Sequence, residues 1–314
     1  MFSVIIPVHN SWKTIDRTIN KTLNSFIDIN DEIILVNDNS NECTIQKLNH
    51  YSKYPNIRVI NNSGVGVSDA RNSGIEIINK KNEFVTFIDD SDWVSQYFFC
   101  EAKNFFQKEK EIDIVFTPIK IFKEGKIYEH TMNDKFKFQG NIINIFKNYQ
   151  FVQYHIGGVI FRSSILKKEN YRFDNTIDYW EDAKIINTIL LNKQKYGVLK
   201  NSTYFWEKNI NHIHVYIHSI SIIKRNIVFS FSDNSFFISE DSNIHIKFKG
   251  KKLYKPKLKL VRNHLIFGKK VNDFSRQIFN VTIPIKFFFH DAIFVIEDKN
   301  NKIILNIKSK SIVK

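Results

Sequence analysis

Three aspartates crowd into Phe87-Ile88-Asp89-Asp90-Ser91-Asp92-Trp93, directly after an apolar run over residues 84–88. Carboxylates that abut in this way repel one another and raise each other's pKa unless a cation or hydrogen-bond donors hold them ionised. Hard divalent cations take oxygen ligands, and Mg²⁺ is usually held by one or two carboxylates together with the phosphates of a substrate. The cluster points to a metal-bridged nucleotide site, with a solvated acidic turn as the plain alternative. Two other groups have matching chemistry. Arg71 offers a planar fork that fits phosphate oxygens, or a surface ion pair. Glu181 and Asp182 open an apolar-periodic segment, where acidic charge also stabilises a helix N-terminus by about 0.3–1 kcal/mol.

The elements that must position these groups alternate βαβα. Strands are predicted at residues 3–8, 32–37, 57–61, 84–88 and 112–117. Between them, Ile15, Ile19, Leu23 and Phe26 mark one helix face and Ile45 and Leu48 another, with further helices at 68–79 and 96–108. Such alternation predicts a mainly parallel sheet covered by helices on both faces. Ligands of open sheets sit outside the carboxyl ends of the strands, where strand order reverses. The polar clusters His9-Asn10, Asn37-Asp38-Asn39-Ser40 and Asp89-Asp90-Ser91-Asp92 fall at those ends. A hairpin at 120–129 and a helix from Glu181 or Asp182 to Leu191 follow.

The chain of 314 residues carries a net charge of +14, but the excess is local. Residues 1–214 hold 27 Lys and Arg against 25 Asp and Glu, whereas residues 215–314 hold 19 against 7. Residues 247–262 alone contain eight basic side chains and no acid. After residue 214 the pattern becomes short β segments at 227–231, 243–248, 281–288 and 293–296. Two domains are expected: an α/β domain over 1–214 and a smaller, basic β domain over 215–314, read as a sandwich. Cys43 and Cys100 are too few for a disulfide framework or a zinc site. No apolar run approaches the roughly 18 residues of a membrane span, and residues 1–7 do not read as a signal peptide, so a cytoplasmic location is expected.

Five motifs in order over residues 1–210 resemble the inverting family 2 glycosyltransferases of the GT-A fold. Phe2-Ser3-Val4-Ile5-Ile6-Pro7-Val8-His9-Asn10 is similar to that family's first strand and nucleotide loop, and Ile34-Leu35-Val36-Asn37-Asp38-Asn39-Ser40 to its second strand. Gly66-Val67-Ser68-Asp69-Ala70-Arg71-Asn72-Ser73-Gly74 matches its Ala-Arg-Asn-x-Gly helix start, residues 84–93 its Asp-x-Asp strand, and Trp180-Glu181-Asp182 its Glu-Asp motif. The resemblance implies transfer of a sugar from a UDP-hexose or UDP-N-acetylhexosamine to a hydroxyl of a bacterial surface glycan or lipid-linked acceptor.

It also implies roles. Pro7, Val8, His9, Asn10, Asp38, Gly66, Arg71, Asp89 and Asp90 hold the nucleotide sugar, Asp38 at uracil N3–H, His9 against the base and Arg71 at phosphate. Asp182 is the implied catalytic base, and Glu181 orients it or the acceptor. Trp93, His155, Gly157, Gly158 and Trp180 lie where acceptor contacts are expected, and His212 and His214 offer a late metal or phosphate contact. Most relatives read Asp-x-Asp-Asp, whereas Ser91 stands at the third place here. A divalent cation, Mn²⁺ or Mg²⁺, is therefore expected on Asp90 and Asp92.

Other nucleotide and metal folds fit less well. The Gly64-Val65-Gly66 loop follows the third strand and has Asp69 where a dinucleotide fingerprint needs glycine. Calcium loops counted from Asp38 or Asp90 place Cys43 or Ser95 at the obligatory glycine. The rival from another class is a degenerate transferase fold that binds through its basic domain, to an anionic polymer or to the inner membrane leaflet rather than to nucleic acid. Oligomerisation through that domain fits either reading.

Overall fold

The computed structural model describes residues 1–123, 125–130, 133, 136, 140–144, 155–177 and 181–207, together with the strands that lie between 215 and 308. The chain divides into two compact units, Met1–Glu207 and Lys208–Lys314.

The first unit opens with β1 (Phe2–Val8), α1 (Ile15–Leu23), β2 (Glu32–Asn37), α2 (Glu42–Tyr51), β3 (Ile57–Asn61), α3 (Val67–Glu76) and β4 (Phe84–Phe87). The strands β1 and β4 are buried at every position and β2 at all but its last. Burial on both faces explains why they read as continuous apolar runs rather than alternating ones. Then follow β5 (Trp93–Val94), α4 (Phe98–Lys108), β6 (Ile114–Phe116), β7 (Ile119–Lys123), β8 (Lys126–Glu129), β9 (Ile142–Asn144), β10 (Val159–Arg162), α5 (Ser163–Lys168), α6 (Glu181–Lys193), β11 (Lys195–Val198) and β12 (Tyr204–Glu207).

The main sheet has the order β3-β2-β1-β4-β10-β6-β11-β9. Strands β1 to β4 pair in parallel, with β2 on one side of β1 and β4 on the other, so strand order reverses at β1. That reversal opens a crevice at the carboxyl ends of β1, β2 and β4. The right half differs from simple alternation. Strand β10 sits between β4 and β6 and runs antiparallel to both, so the fifth predicted strand, β6, is not a neighbour of β4. A smaller sheet, β5-β12-β7-β8, carries the expected hairpin, with Gly125 at its turn. Among the described residues no helix is long and apolar enough to cross a membrane.

The second unit contains two four-stranded antiparallel sheets and a two-stranded ribbon. In the sheet built from Val215–Ile223, Asn226–Asp233, Ile278–Pro284 and Leu258–Val261, cross-strand partners share a face. The rows Ile220-Phe229-Val281-Leu258 and Ile217-Phe231-Phe279-Leu260 make one face apolar, and Ser219-Ser230-Asn280-Lys259 belongs to the other. One apolar face per sheet is what face-to-face packing requires.

Candidate active site

At the end of β1, His9 and Asn10 are exposed. Asn10 takes a φ of 56°, a left-handed conformation that asparagine tolerates. Its Oδ1 accepts the Asn41 N–H at 2.7 Å, which orients the amide so that Nδ2 donates to His9 Nε2 at 3.0 Å. His9 Nδ1 therefore carries the ring proton and donates it to the Asp38 carbonyl at 2.6 Å. Asp38, at the end of β2, is buried; its Oδ1 accepts from Asn62 Nδ2 at 2.8 Å and from the Gly66 N–H at 3.1 Å. Gly66 reaches it with a φ of 90°, a region open to glycine. Asp69 closes the same loop by accepting the Val65 N–H at 3.1 Å.

The acidic groups gather on Arg71, which projects from α3 and is 3 % exposed. Its Nη2 donates to Asp89 Oδ1 at 3.0 Å, and its Nη1 donates to Asp182 Oδ1 at 2.8 Å and to Glu181 Oε1 at 3.2 Å. The Phe173 ring lies 5.2 Å from the guanidinium carbon. Burial works against the guanidinium charge, but Asp182, Asp89 and Glu181 outweigh it and raise its pKa. Burial likewise opposes ionisation of Asp89, yet Arg71 and then His155 hold its carboxyl below the usual range. Glu181 goes the other way: burial and then the charge of Asp182 push it up to about 7.

On the same loop, burial raises Asp90 to about 6 against the hydrogen bond from the His9 backbone. Burial, followed by the charge of Asp89, lifts Asp92 well above the carboxylate range. His155 Nε2 stands 3.4 Å from Asp89 Oδ2. One ligand atom from each of Asp89, Asp92 and His155 lies within 4.8 Å of the others.

The residue that organises this loop, Tyr204 on β12, is not among the candidates read from sequence. It is fully buried, and its hydroxyl donates to Asp92 Oδ2 at 2.6 Å while accepting the Asp89 N–H at 3.2 Å. The Glu207 N–H donates to Asp92 Oδ1 at 2.9 Å. Arg17, from α1, binds the Glu207 carboxylate and donates to the Ser91 carbonyl at 2.8 Å. The available signal is a tyrosine in an apolar segment, since a buried phenol must find a partner; its partner is 112 residues away. Tyr204→Phe is expected to lower stability by about 1–3 kcal/mol, the cost of leaving buried polar groups without their hydrogen-bond partner. Urea denaturation should show a lower midpoint at an unchanged slope.

Several expectations need correction. Arg71 is not open to phosphate, because three carboxylates occupy its fork. Asp90 does not join Asp92: its Oδ2 accepts the His9 N–H at 2.8 Å and ties β1 to the acidic loop, while Asp89 takes the place beside Asp92. Gly157 and Gly158 are buried in a 3-10 turn, Ile156–Gly158, and do not offer backbone to an acceptor. A Cβ on Gly157 would come within 2.1 Å of the Tyr204 ring, so glycine there makes room for Tyr204. Pro7 and Val8 lie inside the buried strand, where the Val8 carbonyl accepts the Asp38 N–H at 2.8 Å and Ser40 Oγ at 3.0 Å. Trp93 is partly exposed; Arg17 stands 4.4 Å over its ring and Phe205 stacks on it at 5.4 Å. Asp182 accepts the Ile156 N–H through Oδ2 at 3.1 Å, which brings the His155 turn to the acidic pair. Trp180, His212 and His214 lie outside the described residues.

Known proteins share this fold. The crystal structure of residues 1–349 of S. aureus TarS in complex with UDP-GlcNAc superimposes with a TM-score of 0.56, covering 66 % of this chain and 58 % of that one at 24 % identity. This likeness defines the fold: a GT-A glycosyltransferase domain with its acidic groups at the carboxyl ends of the central strands. Residues 3–172 match the family described as Glycosyl transferase family 2, and the chain belongs to that family of enzymes.

Among curated relatives, the minor teichoic acid biosynthesis protein GgaA of Bacillus subtilis (strain 168) is 32 % identical over 212 residues, which cover 66 % of this chain and 47 % of GgaA. The poly(ribitol-phosphate) beta-glucosyltransferase of Bacillus spizizenii is 27 % identical over 220 residues, covering 65 % of this chain and 32 % of the relative. The chain thus spans less than half the length of these relatives.

Proposed function

We propose that this chain transfers a hexose or N-acetylhexosamine from a UDP-sugar to a hydroxyl of a phosphate-containing surface glycan, with inversion at the anomeric carbon. The observation that carries this reading is the bridging of Asp182 and Asp89 by one guanidinium. Arg71 fixes a carboxylate base and the acidic donor loop against each other at the mouth of the sheet. In the proposed step Asp182 removes the proton of the acceptor hydroxyl while that oxygen bonds to the anomeric carbon. The bond from that carbon to the diphosphate breaks on the opposite face. Glu181, near its midpoint at neutral pH, is suited to hydrogen-bond the incoming sugar in either protonation state.

The donor and acceptor classes rest on two supports. A fold neighbour is described with UDP-GlcNAc, and the curated relatives are named for teichoic acid and poly(ribitol-phosphate) work. Among the described residues both hydrogen bonds to the Asp38 carboxylate fall on Oδ1, which leaves Oδ2 for uracil N3–H beside the exposed His9. This reading puts the chain on the cytoplasmic side of the membrane.

Two carboxylates and an imidazole form a donor set that suits Mn²⁺ better than the all-oxygen preference of Mg²⁺. The Asp92 oxygens keep lone pairs beyond their bonds to Tyr204 and Glu207. His155 Nδ1 accepts the Gly157 N–H at 3.2 Å, so ligation through Nε2 requires the ring proton to move and that contact to open. A divalent cation bound there would neutralise charge on the departing diphosphate. For the donor end, Asp38→Ala is expected to raise the UDP dissociation constant about tenfold or more, the loss of one charge-assisted hydrogen bond. Calorimetric titration measures it, and an unchanged constant would sink the uracil assignment.

A further inference from the structure

The second sheet of the C-terminal unit has the strand order Lys251–Tyr254, Asn243–Phe248, Ile293–Glu297, Ile303–Lys308. Residues directly opposite in neighbouring strands share a face. Lys252 pairs with Lys247, Lys247 with Ile293, and Ile293 with Lys308, so three lysines occupy one row that crosses the whole sheet. At 4.7–4.9 Å between strands, the row is about 14 Å long. The row His245-Val295-Asn306 belongs to the same face. The apolar rows Ile244-Ile296-Leu305 and Tyr254-Ile246-Phe294-Ile307 belong to the opposite one. Glu297 is the one acidic residue on the lysine face among the described strands, four positions from Ile293 and about 13 Å along the strand.

Like charges placed directly opposite in a sheet oppose its formation. A row that keeps Lys247 against Lys252 is therefore matched to an external negative charge. We infer that this face holds a linear polyanion linked by phosphodiesters, the same class as the proposed acceptor, and the inference rests on that reading of the acceptor. The charges lie in a line across the strands, which suits a chain of regularly spaced phosphates. Single-stranded nucleic acid fits less well, because sheets that bind it present aromatic residues for base stacking on the binding face. Here Phe294 and Tyr254 share the other face with Ile246. A lipid surface fits less well, since among the described strands of this sheet only Lys251, opposite Phe248, shares the aromatic face, and the three-lysine row is on the other. Holding one stretch of polymer raises the local concentration of the remaining hydroxyls for the transferase.

The test uses the full chain and its Lys247→Gln, Lys252→Gln, Lys308→Gln triple variant, with a fluorescent polyol-phosphate chain as probe. An oligonucleotide of equal charge and anionic vesicles serve as rival probes. Binding of the polyol phosphate is expected to weaken at least tenfold in the triple variant and to fall as salt rises, with the UDP dissociation constant unchanged. Equal binding by the two proteins, or tighter binding of the wild type to the oligonucleotide or vesicles, overturns the inference. A parallel assay of sugar transfer onto the same polymer keeps the two readings apart. Binding without transfer removes the acceptor assignment and leaves the surface standing; transfer with an unaltered polymer KM in the triple variant removes the surface.

Discussion

Asp182→Asn is expected to lower kcat for sugar transfer by about 10²–10⁴-fold, the usual contribution of a positioned general base. The asparagine oxygen can still accept from Arg71, as Asp182 Oδ1 does at 2.8 Å, so the guanidinium keeps its orientation. The amide nitrogen, however, cannot take a proton from a hydroxyl and cannot accept the Ile156 N–H that Oδ2 now holds. UDP affinity should stay within about twofold, because the proposed uracil contact, Asp38, is held by Asn62 and Gly66 and, among the described residues, shares no hydrogen-bond partner with Asp182. Measuring product release alongside UDP titration separates the two effects. Turnover retained in this variant but lost in Glu181→Gln would move the base to Glu181, whose pKa of about 7 suits that task.

Arg71→Met is expected to destabilise the first unit by about 3–5 kcal/mol, the usual result of removing one partner from a buried ionic group. For a unit of about 200 residues that corresponds to a Tm lowered by about 6–20 °C. The sign of its pH dependence follows from the three carboxylates left behind. Without Arg71 the burial that already lifts Glu181 to about 7 loses its main opposition, so the folded-state pKa rises further above the unfolded value. An acid shifted this way binds more protons folded than unfolded, and stability falls as pH rises through the folded pKa. The deficit of the variant should therefore be smaller at pH 5.5 than at pH 8. Equal deficits at both would mean that the carboxylates do not feel Arg71 as the geometry requires.

Much of the β1–β4 half was legible because its information is local. Strands at 32–37 and 57–61 have the predicted bounds, since runs rich in β-branched residues end at polar turns. Asp38, His9 and the acidic loop were found by their position at strand ends. What escaped was long-range. Nothing in the local pattern says that β10 enters the sheet antiparallel between β4 and β6, or that Tyr204 and Glu207 hold Asp92. Arg71 was read as a phosphate ligand because its partners Glu181 and Asp182 stand 110 and 111 residues away. Separation along the chain also hid Gly157, whose missing side chain makes sense only beside the Tyr204 ring.

The entry of β10 between β4 and β6 also orders the birth of the site in time. Strands β1 to β4 are complete by Phe87: β1, β2 and β3 adjoin in chain order, and β4 returns to pair with β1. The acidic pair of α6 is about 95 residues further on, which at ribosomal rates of about 5–20 residues per second is a lag of about 5–20 s. Through that interval the nascent chain holds the β1–β4 edge with Asp38 in place, while of the three carboxylates on Arg71 only Asp89 has been made. The guanidinium that is sealed in the mature enzyme is then open to solvent anions, and the arrival of α6 is the event that closes it.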